Sequence, residues 1–272
     1  MRFDNHTHSS FSFDGARDAT PEAMCRAAME KGLDGIAITD HMDINRQVEG
    51  WGILLDPDAQ WKGISEAKQV FDGQFHFIRG IELGQILQYP QAAREALETY
   101  DYDFVLGSLH NLAGAPDFSK TNFTEMSVPT MHSTFEHSID DLIGMCSFPG
   151  LCALAHITYP YRYIVYSERG DAFNMALHYD HLRQLFQTMV EHGIALEMNT
   201  SPLRRGYDLT LPDRDLFAIY RECGGELVTV GSDAHTLADI GANMEDAYER
   251  LRAVGFRYAA YYEEKKPRLF PI

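Results

Sequence analysis

Short apolar runs alternate with longer amphipathic segments along most of the chain. Each run is bounded by polar residues or glycine, which is typical of short buried β-strands. The seven clearest runs are Arg2–Asn5, Gly35–Thr39, Phe75–Ile81, Phe104–Leu109, Cys152–Ala155, Ile194–Met198 and Leu227–Gly231, and a weaker eighth is Phe256–Ala260.

Helix signals fill the intervals between these runs. Thr20 and Pro21 provide an N-cap and a first-turn proline, and Gly32 ends that helix. Strands that alternate with helices predict parallel βα units, and seven or eight units predict a closed barrel rather than an open sheet. Three further segments have helical spacing and a glycine directly after them, namely Tyr179–His192, Pro212–Cys223 and Ala238–Val254.

Titratable side chains stand at or just beyond the carboxyl end of each main run. The carboxyl ends of barrel strands share one rim, where barrel enzymes place their active sites. Of the 12 histidines, six lie in these positions, whereas His76 lies inside a run and is predicted to be a core residue. The rim residues are His6, His8, Asp40, His41, Glu82, His110, His156, Glu197, Asp233 and His235.

This residue set predicts a metal centre. Imidazole and carboxylate ligands without thiolates suit Zn, Mn or Fe. On an extended segment, His6 and His8 project in the same direction and can reach one ion. The number of candidate ligands exceeds what one ion takes, so two or three divalent ions that share a bridging carboxylate fit better.

The composition limits the classes of partner that the chain is expected to bind. The chain of 272 residues has 23 basic and 40 acidic side chains, a net charge of −17, which opposes binding to nucleic acid or to an anionic membrane. There is no signal-peptide pattern and no apolar run long enough to span a membrane. Four scattered cysteines without a C-x-x-C motif indicate reduced thiols, so we expect a cytoplasmic protein.

The rim residues belong to ordered motifs that cover nearly the whole chain. The motifs are His6-Thr7-His8, Ser12-Phe13-Asp14-Gly15, Ile38-Thr39-Asp40-His41, Gly80-Ile81-Glu82, Gly107-Ser108-Leu109-His110, Ala155-His156, Glu197-Met198-Asn199-Thr200-Ser201 and Gly231-Ser232-Asp233-Ala234-His235. In these motifs the chain resembles the PHP (polymerase and histidinol phosphatase) superfamily of metal-dependent phosphoesterases. It is most similar to the stand-alone histidinol-phosphate phosphatases.

The resemblance implies an α/β fold, a distorted (β/α)7 TIM-like barrel that spans residues 1–272 as a single domain. It also implies a trinuclear centre at the carboxyl ends of the strands. The implied ligands are His6, His8, Glu82 and Asp233 for one metal, Glu82, His110 and His156 for a second, and Asp14, His41 and His235 for the third.

The implied reaction is hydrolysis of a phosphate monoester by metal-activated hydroxide, with L-histidinol phosphate as the expected substrate. We predict that the catalytic carboxylates are Asp40, Glu82 and Asp233. The predicted phosphate-binding residues are Arg162, Arg204 and Arg205, because guanidinium matches phosphate geometry.

Three positions depart from the family pattern. Asp14 stands where histidine is common, Thr158 where aspartate is common and Pro202 where glycine is common. The last two lie on the substrate side, so another small phosphoester, such as a nucleotide or a sugar phosphate, stays open as the substrate. Two further functions stay open: a polymerase-associated nuclease module, which the net charge opposes, and a metal-binding domain without turnover.

Two long connections, Asn111–His137 and Ile157–Tyr179, lead from the same rim and are predicted to be lids or binding loops. The tyrosine-rich stretch Tyr159–Tyr166 fits an aromatic wall for the substrate, a packed loop or a contact in a homo-oligomer.

Overall fold

Seven parallel strands form a nearly closed barrel in the computed structural model, which describes residues 1–272. The strands neighbour one another in chain order, and a short extra strand, β3 (His41–Asp43), continues the path of β2 beside β4. This arrangement confirms the predicted barrel. The barrel strands are β1 (Phe3–Thr7), β2 (Gly35–Ile38), β4 (His76–Gly84), β5 (Phe104–Ser108), β6 (Ala153–Leu154), β7 (Ala195–Asn199) and β8 (Val228–Gly231).

The barrel closes at its carboxyl-terminal end, between β1 and the segment after β8. The His8 N–H donates to the Ala234 carbonyl at 2.8 Å, and the Asp233 N–H donates to the His6 carbonyl at 2.8 Å. Three of the predicted metal ligands are therefore held by the backbone hydrogen bonds that close the barrel.

Helices surround the barrel. Thr20 caps α1 as predicted, and the predicted helix Tyr179–His192 is confirmed. The last helix begins later than Ala238, because the preceding residues form turns in which the Gly241 N–H donates to Asp4. None of the helices combines the length and the apolar composition needed to cross a lipid bilayer. The helices are α1 (Pro21–Glu30), α2 (Ile44–Glu49), α3 (Pro57–Phe71), α4 (Pro90–Thr99), α5 (Val128–Met145), α6 (Tyr159–Tyr166), α7 (Tyr179–His192), α8 (Arg214–Glu222) and α9 (Met244–Ala253).

The weak eighth run does not join the barrel. It overlaps β9 (Tyr258–Glu263), which pairs antiparallel with β10 (Lys266–Pro271) in a separate hairpin. The hairpin covers the amino-terminal end of the barrel, where the Tyr261 ring stacks on Phe3 with ring centroids 4.0 Å apart. His76, at the start of β4, is exposed rather than buried in the core, because this strand entry lies at the surface.

The two long connections are more helical than predicted. The first contains the start of α5, where the Ser127 side chain accepts a hydrogen bond from the Thr130 N–H. The second contains α6, which has Pro160 in its first turn. Ser127 followed by Pro129 is a helix-start signal that the sequence interpretation missed, and the weak helix propensity of tyrosine masked α6.

Candidate metal centre

All nine predicted metal ligands meet at the carboxyl-terminal mouth of the barrel. Each comes from a strand end or the turn after it, so the parallel strands deliver them to one place. Most of them are buried, whereas the Asp14 side chain is 41% exposed. The nine are His6, His8, Asp14, His41, Glu82, His110, His156, Asp233 and His235.

Glu82 lies at the centre of this cluster, and its two oxygens face different imidazoles. Oε1 lies 3.3 Å from His110 Nε2 and 3.0 Å from His156 Nε2. Oε2 lies 2.5 Å from His41 Nδ1 and 3.6 Å from His6 Nε2. A carboxylate in this position can bridge two metal ions.

His6 on β1 and His8 directly after this strand converge as their spacing predicts. His6 Nε2 and His8 Nε2 lie 3.0 Å apart, so both rings direct a nitrogen toward the same point. Asp233 Oδ1 completes the group, at 3.4 Å from His8 Nε2 and 3.8 Å from His6 Nε2.

A third group lies nearer to solvent. The His8 ring stacks between His41 and His235, with centroid distances of 4.0 and 4.2 Å. Asp14 Oδ2 lies 3.2 Å from His235 Nε2, and its Oδ1 lies 3.7 Å from His41 Nε2. Aspartate at this position therefore reaches the same imidazoles that a metal held there would use.

Two further buried carboxylates orient the candidate ligands. Glu197 on β7 lies 2.6 Å from His6 Nδ1 and accepts a hydrogen bond from the His156 N–H at 2.8 Å. Asp43 lies 3.0 Å from His110 Nδ1. Carboxylates that hold the far nitrogen of a ligating imidazole fix its tautomer and raise its basicity.

The sequence interpretation placed Glu197 at the rim without a role and missed Asp43 altogether. Asp43 stands two residues after His41 on β3, the strand that the hydrophobic pattern did not predict. The close approach of Glu197 to His6 also depends on Gly231, because a Cβ there would collide with both side chains.

Burial and contacts between neighbouring side chains shift the pKa values of the cluster in opposite directions. Burial lowers the pKa of His6, but Glu197 and Glu82 outweigh it and raise that pKa well above its ordinary value. Burial raises the pKa values of Glu82 and Asp233, but the surrounding imidazoles hold both well below their ordinary range. The cluster therefore favours charged carboxylates next to positively charged groups.

Two candidate ligands have left-handed backbone conformations. His156 has φ of 25° and Asp233 has φ of 56°. Non-glycine residues adopt such angles at a cost, and they do so mainly where surrounding structure enforces a functional geometry. Here the Asp233 N–H bond to His6 and the His156 N–H bond to Glu197 hold these two backbones in place.

The structure does not bring Asp40, predicted to be catalytic, into contact with the ligands. Its fully buried carboxylate accepts hydrogen bonds from the Ser9 N–H, the Ser9 and Ser12 hydroxyls and the Gln60 amide. These donors come from neutral groups, and burial raises the pKa of Asp40. Asp40 thus fixes the turn between His8 and Asp14.

The three predicted phosphate-binding arginines have different surroundings. Arg162 is buried at the centre, with Nη1 3.7 Å from Asp233 Oδ2. Arg204 donates to the Ser232 and Asp233 carbonyls and so supports the segment after β8. Arg205 is exposed.

The donor set fits divalent metal ions. When the imidazoles are neutral, as metal binding requires, five carboxylates (Asp14, Asp43, Glu82, Glu197 and Asp233) face two guanidinium groups, Arg46 beside Asp43 and Arg162 beside Asp233. Two or three divalent ions would offset the remaining negative charge. Several triads have ligand atoms within 4.8 Å of one another, and they share members rather than forming separate cages. The triads are His6-His8-Asp233, His6-Glu82-His156, His41-Glu82-His110 and His8-His41-His235.

Comparison with known families agrees with this geometry. The model of the PHP domain matches residues 4–201. The chain belongs to the PHP domain family. This confirms the resemblance, and the match includes seven of the nine ligand positions. The remaining two, Asp233 and His235, lie beyond the matched residues, but the closing β1–β8 contact places them in the same cluster.

Relatives of this PHP protein have similar lengths. A probable histidinol-phosphatase from Clostridium acetobutylicum is 28% identical over 91% of each chain. The histidinol-phosphatase from Lactococcus lactis is 23% identical and covers 97% of this chain and 96% of its own. The crystal structure of histidinol phosphate phosphatase from Lactococcus lactis, complexed with Zn, L-histidinol and phosphate, superposes with a TM-score of 0.81 at 21% identity, over 98% of each chain. That likeness confirms the barrel fold.

Proposed function

We propose that this PHP protein is a metal-dependent phosphatase that hydrolyses L-histidinol phosphate to L-histidinol and phosphate. The observation that carries the proposal is the position of Glu82, whose two oxygens face two separate groups of imidazoles. Phosphoester hydrolysis commonly uses two metal ions about 4 Å apart, and a buried carboxylate between histidine groups is positioned to hold both.

The residues would hold two or three ions of Zn, Mn or Fe. His6, His8 and Asp233 would form one end of the centre and His110 and His156 the other, with Glu82 between them. Asp14, His41 and His235 would hold the third ion. Bound divalent ions supply the chemistry, because they lower the pKa of water and neutralise charge on a phosphoryl group.

Arg162 would orient the phosphoryl group. Its buried guanidinium lies 3.7 Å from the Asp233 carboxylate, whereas Arg204 contacts the backbone carbonyl of Asp233. Because Asp233 Oδ1 faces His8 while its Oδ2 faces Arg162, this carboxylate connects the ligand cluster to the phosphate-binding side. Arg204 would act indirectly, through the backbone that carries Asp233.

The substrate assignment draws on the relatives, several of which are named histidinol-phosphatase and match nearly the whole chain. The net charge of −17 supports a small phosphorylated substrate rather than nucleic acid. We propose that residues 1–272 act as one domain and that the protein works in the cytoplasm. A homo-oligomer stays an untested prediction.

The test is a phosphatase panel with L-histidinol phosphate, nucleoside monophosphates and sugar phosphates at equal concentration. Each ester is assayed before and after complete metal removal. We expect the highest kcat/KM for L-histidinol phosphate, loss of activity on metal removal and recovery on adding Zn or Mn. Preference for a nucleotide or sugar phosphate would overturn the substrate assignment, and activity that survives full metal removal would overturn the mechanism.

A further inference from the structure

A row of side chains on α6 carries buried polar atoms without a hydrogen-bond partner. The row consists of Thr158, the N-cap residue, followed at four-residue intervals by Arg162 and Tyr166. The unpartnered atoms are the Thr158 hydroxyl, Arg162 Nε and the Tyr166 hydroxyl. Residues four apart lie on the same side of a helix. Because buried polar groups are nearly always paired, three unpaired groups in one row indicate a surface that contacts a ligand.

The row faces the metal centre. On the same side of α6, the Tyr159 ring lies 4.9 Å from the His156 ring and 5.1 Å from the His110 ring. One turn further along, Arg162 reaches Asp233. Tyr166 follows after one more turn, and its ring lies beside the Arg162 guanidinium.

The surroundings of Tyr166 favour an anionic partner. The Arg162 and Arg205 guanidinium carbons lie 5.6 and 5.5 Å from the centre of the Tyr166 ring. The ring also packs against Tyr207, with centroids 4.4 Å apart, which fixes its orientation. Two guanidinium groups create a positive potential around the hydroxyl, and the ligand group that satisfies it is an anionic oxygen.

We propose that Tyr166 is a phosphate-binding residue of this site. Its hydroxyl and Arg162 Nε donate hydrogen bonds to oxygens of the phosphoryl group that the metal centre binds. The inference rests on the proposed function, since it takes the bound group to be a phosphate. A hydrogen bond to a charged oxygen is stronger than one between neutral groups, so the hydroxyl contributes measurably to phosphate affinity.

The matched substitutions are Tyr166→Phe and Tyr161→Phe. The first removes the hydroxyl and keeps the ring that packs on Tyr207. The second removes a hydroxyl from the same helix but from its other side, where the Tyr161 ring contacts Phe173. Thermal unfolding of both metal-loaded variants checks that the helix stays intact.

The readout is binding of inorganic phosphate to the metal-loaded protein, measured by titration calorimetry. We expect the Kd to rise about tenfold in Tyr166→Phe and to stay unchanged in Tyr161→Phe. The KM for p-nitrophenyl phosphate rises with the Kd, while kcat changes less. Wild-type affinity in Tyr166→Phe, or equal weakening in both variants, would overturn the proposal.

This readout separates the two proposals. Inorganic phosphate contains no organic group, so the ratio of Kd values does not depend on which ester is the natural substrate. If the wild type binds phosphate but does not hydrolyse L-histidinol phosphate, the substrate assignment fails. The phosphate Kd of Tyr166→Phe relative to the wild type then still decides whether Tyr166 binds phosphate. If the metal-loaded wild type does not bind phosphate, the role of Tyr166 is excluded.

Discussion

Two sets of buried carboxylates near the barrel rim have similar burial and opposite surroundings. Asp4 and Asp40 are fully buried and accept hydrogen bonds from backbone N–H groups and serine hydroxyls. Glu82 and Asp233 are also buried, but they face imidazoles. The difference appears in their pKa values, because burial raises those of the first pair and imidazoles hold those of the second pair well below normal.

The comparison teaches that burial at a strand end does not by itself make a carboxylate a metal ligand. A carboxylate whose oxygens are saturated by neutral donors serves the architecture, and here Asp4 and Asp40 fix the segments that carry ligands. A carboxylate surrounded by imidazole nitrogens has lone pairs left for a cation.

Glu82→Gln gives the largest expected effect. The substitution keeps the shape of the side chain but replaces one coordinating oxygen with an amide nitrogen, so the bridge between the histidine groups is lost. We expect a loss of bound metal and a decrease in kcat/KM of more than about 100-fold, beyond the range seen when only an outer partner of a ligand is changed. Metal content by mass spectrometry and phosphatase kinetics measure it. Full metal content with activity within a few-fold of wild type would contradict the ligand role.

Glu197→Gln tests the buried carboxylate that contacts His6 and the His156 backbone but is not itself a predicted metal ligand. Removing its charge weakens the hold on His6 and on the His156 backbone, while the ligands themselves stay in place. We expect metal affinity to fall about 10- to 100-fold. Competition with a metal indicator measures this affinity. Glu191→Gln, on the exposed side of α7, is the matched control and should bind metal like wild type.

Asp40→Asn tests whether Asp40 stabilises the fold, as its neutral donors indicate, or takes part in the chemistry like Glu82 and Asp233. An amide can keep its oxygen at the Oδ1 position, where it accepts from the Ser9 N–H and the Ser12 hydroxyl. Its NH2 group then replaces Oδ2 and faces the Gln60 amide, so this buried donor loses its Asp40 acceptor. We expect the free energy of unfolding to fall by about 1–3 kcal/mol while metal content is retained. Urea unfolding of the metal-loaded variant measures this change. If turnover instead falls 100-fold at unchanged stability and metal content, Asp40 takes part in the chemistry as its sequence position suggested.

Asp103→Asn, at the opposite end of the barrel, has the smallest expected effect. The Asp103 carboxylate accepts hydrogen bonds from Lys68 and Arg79, which hold its pKa below normal although burial raises it. Lys68 is partly exposed, so we expect a loss of about 1 kcal/mol in the free energy of unfolding at pH 7, with no change in activity.

The stability difference between the wild type and Asp103→Asn depends on pH in a way that follows from the lowered pKa of Asp103. A carboxylate with a lowered folded-state pKa stabilises the fold above its ordinary pKa of about 4, and this contribution is lost as the pH falls through the folded-state value. Urea unfolding of the metal-free wild type and variant at pH 7 and in acid should therefore give curves that converge on acidification. A difference that grows in acid would contradict the ion pairs as its source.

Much of the fold and the centre was predictable from local patterns. Alternating apolar runs and helix caps predict the βα order, because strand and helix periodicities are local properties of the chain. Titratable residues at the strand ends predict the ligand cluster, since parallel strands bring their carboxyl ends to one rim. His6 and His8 converge in the structure as their two-residue spacing requires.

Only the tertiary structure decided how neighbouring carboxylates differ. Asp40, Glu82 and Asp43 all lie on or beside β3 and β4, yet their partners differ. Asp40 contacts serines, Glu82 contacts imidazoles, and Asp43 contacts the Nδ1 atom of His110. Each outcome depends on side chains from distant strands and turns, which no local pattern encodes. The same holds for the row on α6, whose hydroxyls and guanidinium become a candidate phosphate site only because the helix packs across the rim beside Asp233.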